Sequence, residues 1–194
     1  MKKILIILVL VFTLCGCEQV YIKDFKIEGI GLGDSLLDFL SKDEIQKEIE
    51  RNINKYADTG LDKTYVEVNS ISKEYTYDAL SFFIQPDDPK YIIYSLSGKI
   101  YYEENIDQCY EKLNEIVNEF TSMFKDAEMI EGEYKHPSDI TGKSTYKNVD
   151  FLIDTGERVD VSCYDFDKSM QTDNENTDSL NIFIDSVEFI EWFG

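Results

Sequence analysis

"NIDQCYEKLNEIVNEFTSMF", residues 105–124, decides the fold. Ile106, Tyr110, Leu113, Val117, Phe120 and Phe124 recur at intervals of four and three, the spacing that lines up one face of an α-helix. Strand-like runs gather on both sides of this helix. Upstream are "TYVEV" at 64–68, "ALSFFIQ" at 79–85 and "YIIYSLSGKIYY" at 91–102; downstream are "VDFLID" at 149–154, "RVDVSCYDF" at 158–166 and "SLNIFID" at 179–185. Strands grouped beside helices, without strict β-α-β alternation, indicate an α+β domain with helices packed on one face of an antiparallel sheet.

Turn chemistry supports the hairpins. Pro86-Asp87-Asp88-Pro89 separates the second and third runs, and Thr155-Gly156-Glu157 separates the fourth and fifth. Ser41-Lys42-Asp43-Glu44 has the form of a capping box, in which hydroxyl and carboxylate satisfy free backbone donors at a helix start. Ile45, Ile49 and Ile53 then supply one apolar stripe to a helix ending near Tyr56. A brief strand at 25–30, a short helix capped by Asp34 or Ser35 and holding Leu36, Leu37, Phe39 and Leu40, and a terminal helix over 186–193 complete the elements. The polar stretch 132–148, "GEYKHPSDITGKSTYKN", reads as an extended loop, and 167–178, "DKSMQTDNENTD", as an acidic one.

At the amino terminus, Lys2 and Lys3 precede an apolar run over 4–14 in which Thr13 is the one polar residue. A bilayer-spanning helix needs about 20 apolar residues, so this run is short for a permanent span and has the shape of a secretory signal. Leu14-Cys15-Gly16-Cys17 resembles the lipobox of bacterial lipoproteins, with an aliphatic residue three places before a cysteine and a small residue just before it. The resemblance implies diacylglyceryl transfer to the Cys17 sulfur and cleavage between Gly16 and Cys17. It also implies a palmitate-type anchor in the cell envelope, with the chain on the extracytoplasmic side, or the periplasm where there are two membranes. Acyl chains contribute about 0.8 kcal/mol per buried methylene, so the chain would be tethered to a membrane without crossing it. The expected organisation is a signal peptide at 1–16, a short tether at 17–24 and one α+β domain at 25–194.

Nineteen Lys plus Arg face 39 Asp plus Glu, a formal charge of −20 at pH 7, and loss of Lys2 and Lys3 with a signal deepens the imbalance. Nucleic-acid binding needs clustered cations that release counterions, and docking on anionic lipid needs a polybasic segment; the composition favours neither. An acidic surface confers solubility and suits a cationic partner.

Two cysteines remain. Cys109 falls beside Leu113, Ile116 and Phe120 on the apolar arc of the long helix, at about 100° per residue. In "RVDVSCYDF", Val159, Val161 and Cys163 share a face while Asp160 and Ser162 point the other way. Both thiols are aimed at the core, and an exported chain meets oxidising conditions, so a Cys109–Cys163 disulfide is expected; the alternative is two buried thiols.

Four features invite chemistry. Gly29-Ile30-Gly31-Leu32-Gly33 suggests a phosphate cradle, but Asp34 stands where the dinucleotide pattern needs its third glycine, and a turn is expected. Thr141-Gly142-Lys143-Ser144 resembles the tail of a P-loop, yet Pro137 occupies the position of its first glycine. His136, the one histidine, could pair with Asp139, Ser144 or Cys163 in a nucleophilic site, but lies in a polar loop beside Pro137. Asp165, Asp167, Asp173, Glu175 and Asp178 offer oxygen ligands for a hard cation such as calcium, against the simpler reading of a solvated loop.

The stretch "FKIEGIGLGDSLLDFLSKDEI" resembles the Gly-x-Ser helix start of small envelope lipoproteins of the outer-membrane assembly-factor and β-lactamase-inhibitor-like type. It also resembles uncharacterised bacterial proteins sharing I-G-D-S-L-L-D-x-x-S, matched here by Leu32 to Ser41. The first resemblance implies an interaction module without catalysis. The expectation is therefore a non-enzymatic, cofactor-free, membrane-tethered lipoprotein that binds or scaffolds another envelope protein. The alternatives are a cation-binding protein using the 165–178 loop, or a hydrolase using His136.

Overall fold

A computed structural model describes residues 22–56, 60–70, 76–102, 105–171 and 176–194. Seven antiparallel strands form one sheet in the order β1-β2-β3-β7-β6-β5-β4. They are β1 (Val66–Ser70), β2 (Ala79–Ile84), β3 (Ile93–Tyr101), β4 (Glu128–Lys135), β5 (Thr145–Leu152), β6 (Arg158–Asp165) and β7 (Ser179–Asp185). Three helices accompany them: α1 (Lys42–Asn52), α2 (Ile106–Met123) and α3 (Val187–Phe193). Two meanders are thus joined: β1-β2-β3, then α2 across to the far edge, then β4-β5-β6-β7 back to the middle, where β7 pairs with β3.

Strand alternation gives the sheet two unlike sides. On one, Val68, Phe82, Leu96, Ile184, Val159, Phe151 and Met129 stand in register across all seven strands. Leu113, Ile116 and Phe120 of α2 are buried in the same core, and the Phe120 ring meets those of Phe25 and Phe151 at 5.0 and 5.9 Å. Cys109 and Cys163 are joined in a disulfide, with Cα atoms 6.0 Å apart and both residues fully buried. α3 packs differently. The Phe189 ring lies 4.6 Å from that of Phe83, tilted against it, and Phe83 alternates with the core residue Phe82, so the contacts do not establish the one-sided helix packing expected from the sequence.

Local signals acted as their chemistry dictates. Ser41 and Glu44 form the reciprocal capping box, and Ser35 caps the 3-10 turn Leu36–Asp38. α1 ends at Asn52, short of Tyr56, and covers the free edge of β1: Asn52 Nδ2 donates to the Glu67 carbonyl at 2.9 Å, and Asn69 N–H donates to Glu48 Oε2 at 3.3 Å. Ile22, in the stretch expected to be tether, is buried in the core as part of a 3-10 turn.

The polar stretch 132–148 is not an extended loop. It holds the end of β4 and the start of β5, paired residue for residue from Lys135↔Thr145 to Glu128↔Leu152. Only 136–144 turns. β4 is an outer strand exposed along nearly its whole length, so no buried face imposes apolar alternation on its sequence.

The disulfide spans 54 residues, for which the chain-entropy treatment gives about 4 kcal/mol of stabilisation. Cys109→Ala/Cys163→Ala is expected to lower the unfolding free energy read from urea melts by that order while leaving the far-ultraviolet spectrum of the folded protein unchanged.

Candidate functional site

The other side of the sheet is polar where β3, β7, β6 and β5 meet. Ser95, Asp185 and Arg158 stand in one cross-strand row; Ser97, Phe183, Asp160 and Asp150 in the next; Lys99, Asn181, Ser162 and Asn148 in the third. A fourth row runs Tyr101, Ser179, Tyr164, Tyr146, Tyr134. α2 lies on the opposite side, and α3 meets this one at Phe83.

Hydrogen bonds knit the rows. Ser95 Oγ donates to Asp185 Oδ1 at 2.6 Å, and Arg158 Nη2 donates to Asp185 Oδ2 at 2.7 Å, so a buried carboxylate is shared between β3 and β6. Arg158 Nε reaches within 3.9 Å of Asp150 Oδ1. The Ser162 hydroxyl donates to Asp160, and Asn148 Nδ2 donates to Asp150 Oδ2 at 2.8 Å. Buried Oδ1 of Asn148 has no hydrogen-bond partner among the described residues.

Asp160 is the most perturbed acid of this group. Burial pushes its carboxyl up to about 7, with Ser162 pulling the other way and Asp150 adding to the rise. Burial also raises Asp150, against the pull of Arg158. Beside these acids the tyrosines stack: Tyr134 on Tyr146 and Tyr146 on Tyr164, each at 5.4 Å. Gly132 makes room for the row, because a Cβ there would lie 2.2 Å from the Tyr134 ring. Aromatic faces next to acidic side chains favour cations and amphipathic protein surfaces.

The residues singled out from sequence lie mostly elsewhere. His136 sits at the end of the tyrosine row, its ring 4.8 Å from Phe166, and burial lowers its pKa. Asp139 takes Thr141 N and Oγ1 on Oδ1, and Lys143 N and Ser144 N on Oδ2. The Thr141 hydroxyl and Ser144 hold the Asp139 carboxyl well below the usual range. Ser144 Oγ accepts from Asp167 N at 3.0 Å, and Cys163 is in the disulfide, so these groups build a turn and a core and do not converge on a nucleophile.

In both glycine motifs backbone donors are met from within this chain, in the second by one aspartate and in the first by an aspartate together with the Ile27 and Ile93 carbonyls. Asp139 fills the 141–144 turn, and Asp34 Oδ2 accepts from Gly31 N at 2.9 Å and from Lys26 Nζ at 2.8 Å. In the acidic loop, Asp167 accepts from Ser169, and Asp178 accepts from Phe166 N and Gln171 Nε2. Asp165 is raised by burial and by Asp178. Asp173 and Glu175 lie outside the described residues, as does Cys17. Among the described residues, no group of three His, Cys, Asp or Glu is placed to hold a metal ion, and no helix is long and apolar enough to cross a membrane.

Comparison with protein-family models, curated proteins and solved structures finds no significant match.

Asp160 gives a pH signature with a definite sign. Between its ordinary 3.8 and about 7 the native carboxyl keeps a proton that the unfolded chain has released, so its contribution falls as pH rises through that window. The slope approaches 1.4 kcal/mol per pH unit, as an order of magnitude, for one proton. Urea melts from pH 4 to 8 are expected to show Asp160→Asn gaining stability relative to the parent protein as pH rises, with the difference levelling above about 7.

Proposed function

We propose that this chain is a lipid-anchored, extracytoplasmic protein-binding module of the cell envelope, acting without catalysis. The observation that carries the binding reading is the polar side of the sheet, where the stacked Tyr134, Tyr146 and Tyr164 adjoin Asp150, Asp160 and Arg158. Tyrosines present large, rigid surfaces with a polar tip at small entropic cost, which is why interfaces are rich in them. The disulfide supports the compartment, since such bonds persist where conditions are oxidising. The Leu14-Cys15-Gly16-Cys17 signal supports the anchor. The polar side, not the 165–178 loop, would carry recognition.

Two measurements on the native protein test this. Intact mass of the detergent-extracted chain is expected to show an amino terminus at Cys17 bearing a lipid adduct, and Cys17→Ser is expected to release the chain from membranes; an unmodified Cys17 would overturn the anchor. Cross-linking in intact cells is expected to recover an envelope protein whose yield drops about tenfold in Tyr146→Ala/Tyr164→Ala, the loss of two aromatic anchors. Recovery unchanged by those substitutions would overturn the assigned surface.

A further inference from the structure

The two edges of the sheet are finished differently. β1 is short, and its outward backbone groups are met by Asn52 and Glu48 of α1. β4 is eight residues long, keeps unbroken register with β5, and ends the strand order with no described strand beyond it. His136 N–H donates to the Ser144 carbonyl, continuing that register by one pair. Since hydrogen-bonded and open pairs alternate in an antiparallel ladder, Tyr134, Gly132 and Ile130 turn their backbone groups toward β5, and Lys135, Glu133, Glu131 and Met129 turn theirs outward.

We propose that this edge receives an extended, lysine- or arginine-bearing segment of a partner protein as an added strand, an inference that rests on reading the chain as a protein-binding module. Charges on an exposed edge commonly guard it against pairing. Here they are mostly of one sign, at Glu128, Glu131 and Glu133, with Glu131 also meeting Lys147 Nζ of β5 at 2.9 Å, and they stand beside Met129, Ile130 and Tyr134, apolar side chains 48 %, 42 % and 48 % exposed. A second copy of a chain carrying −20 would be repelled at such an edge, whereas a basic strand would be drawn to it.

The pleat also sets the sequence of the incoming strand. Glu131 and Glu133 share one side of the sheet, Ile130 and Tyr134 the other, and directly opposed residues lie on the same side. The segment should therefore alternate basic residues, facing the glutamates, with apolar residues beside Ile130 and Tyr134. Main-chain hydrogen bonds would supply affinity and the alternate side chains selectivity.

The test is titration of the full chain in detergent with a peptide of about eight residues, the usual strand length, alternating Lys and Val, against the same peptide with Glu in place of Lys. The Lys-Val peptide is expected to bind, to weaken as salt is raised, and to slow amide exchange, read by NMR, at Met129, Glu131, Glu133 and Lys135. Glu133→Pro removes one outward donor, which an edge position tolerates, and is expected to weaken binding by about tenfold with little change in thermal midpoint. Glu131→Gln/Glu133→Gln, which leaves every backbone donor in place, is expected to abolish the preference for Lys over Glu.

Equal binding of both peptides, no slowing at those four amides, or self-association of the chain through β4 by light scattering would overturn the proposal. Failure here with a retained, Tyr146- and Tyr164-dependent partner would remove the edge alone. An unmodified Cys17 would remove the anchor and leave the edge untouched.

Discussion

β7 has to return to β3. Neither meander is the whole sheet, and the pairing that merges them, from Ser95↔Asp185 to Tyr101↔Ser179, joins segments far apart in the chain. Such pairing carries a loop-closure cost that local hairpins avoid. The molecule reinforces this seam from both sides. On the apolar side, α2 lies against β6 and β7, linked to β6 through Cys109–Cys163. On the polar side, Asp185 of β7 accepts from Ser95 of β3 and Arg158 of β6, so one carboxylate bridges the last strand of the first meander and the inner strands of the second.

That arrangement leaves the two sides with different work. The apolar side is filled by α2 and the turns around Phe25 and Leu36, and its side chains are committed to stability. The polar side keeps buried acids, and burial of charge is costly unless it is paired. Arg158 relieves Asp185 directly, while Asp160 responds by holding its proton up to about 7. Groups so perturbed, beside a stacked aromatic row, are an unusual choice for a surface whose only task is to face solvent.

Much of the architecture was legible because it rests on periodicity and short-range chemistry. The helical stripe of 106–123, the capping box at Ser41 and Glu44, and the alternation that sends Cys163 inward all follow from the identity of neighbours. β4 was hidden for the opposite reason: Glu128, Glu131, Glu133 and Lys135 sit on an outer strand with no side to bury, so the sequence there has the composition of a loop. The candidate site was half visible. Strand alternation turns Asp160 and Ser162 away from the core, but their neighbours Asp150, Asn148 and Tyr146 depend on the β5–β6 register, and Asn148 and Tyr146 lie in a stretch whose composition reads as a loop. The glycine motifs misdirect because their sequence does not reveal that Asp34 folds back onto the Gly31 amide and Asp139 onto the amides of 141–144.

Whether the polar side is the recognition surface can be asked directly by tyrosine nitration of the protein in intact cells and after purification, with modified positions read by mass spectrometry. We expect Tyr134, Tyr146 and Tyr164 to be modified less in cells than in the purified chain, while exposed Tyr101, at the far end of the same row, changes little. Equal modification of the three tyrosines in both samples, or protection confined to other tyrosines, would contradict the assignment.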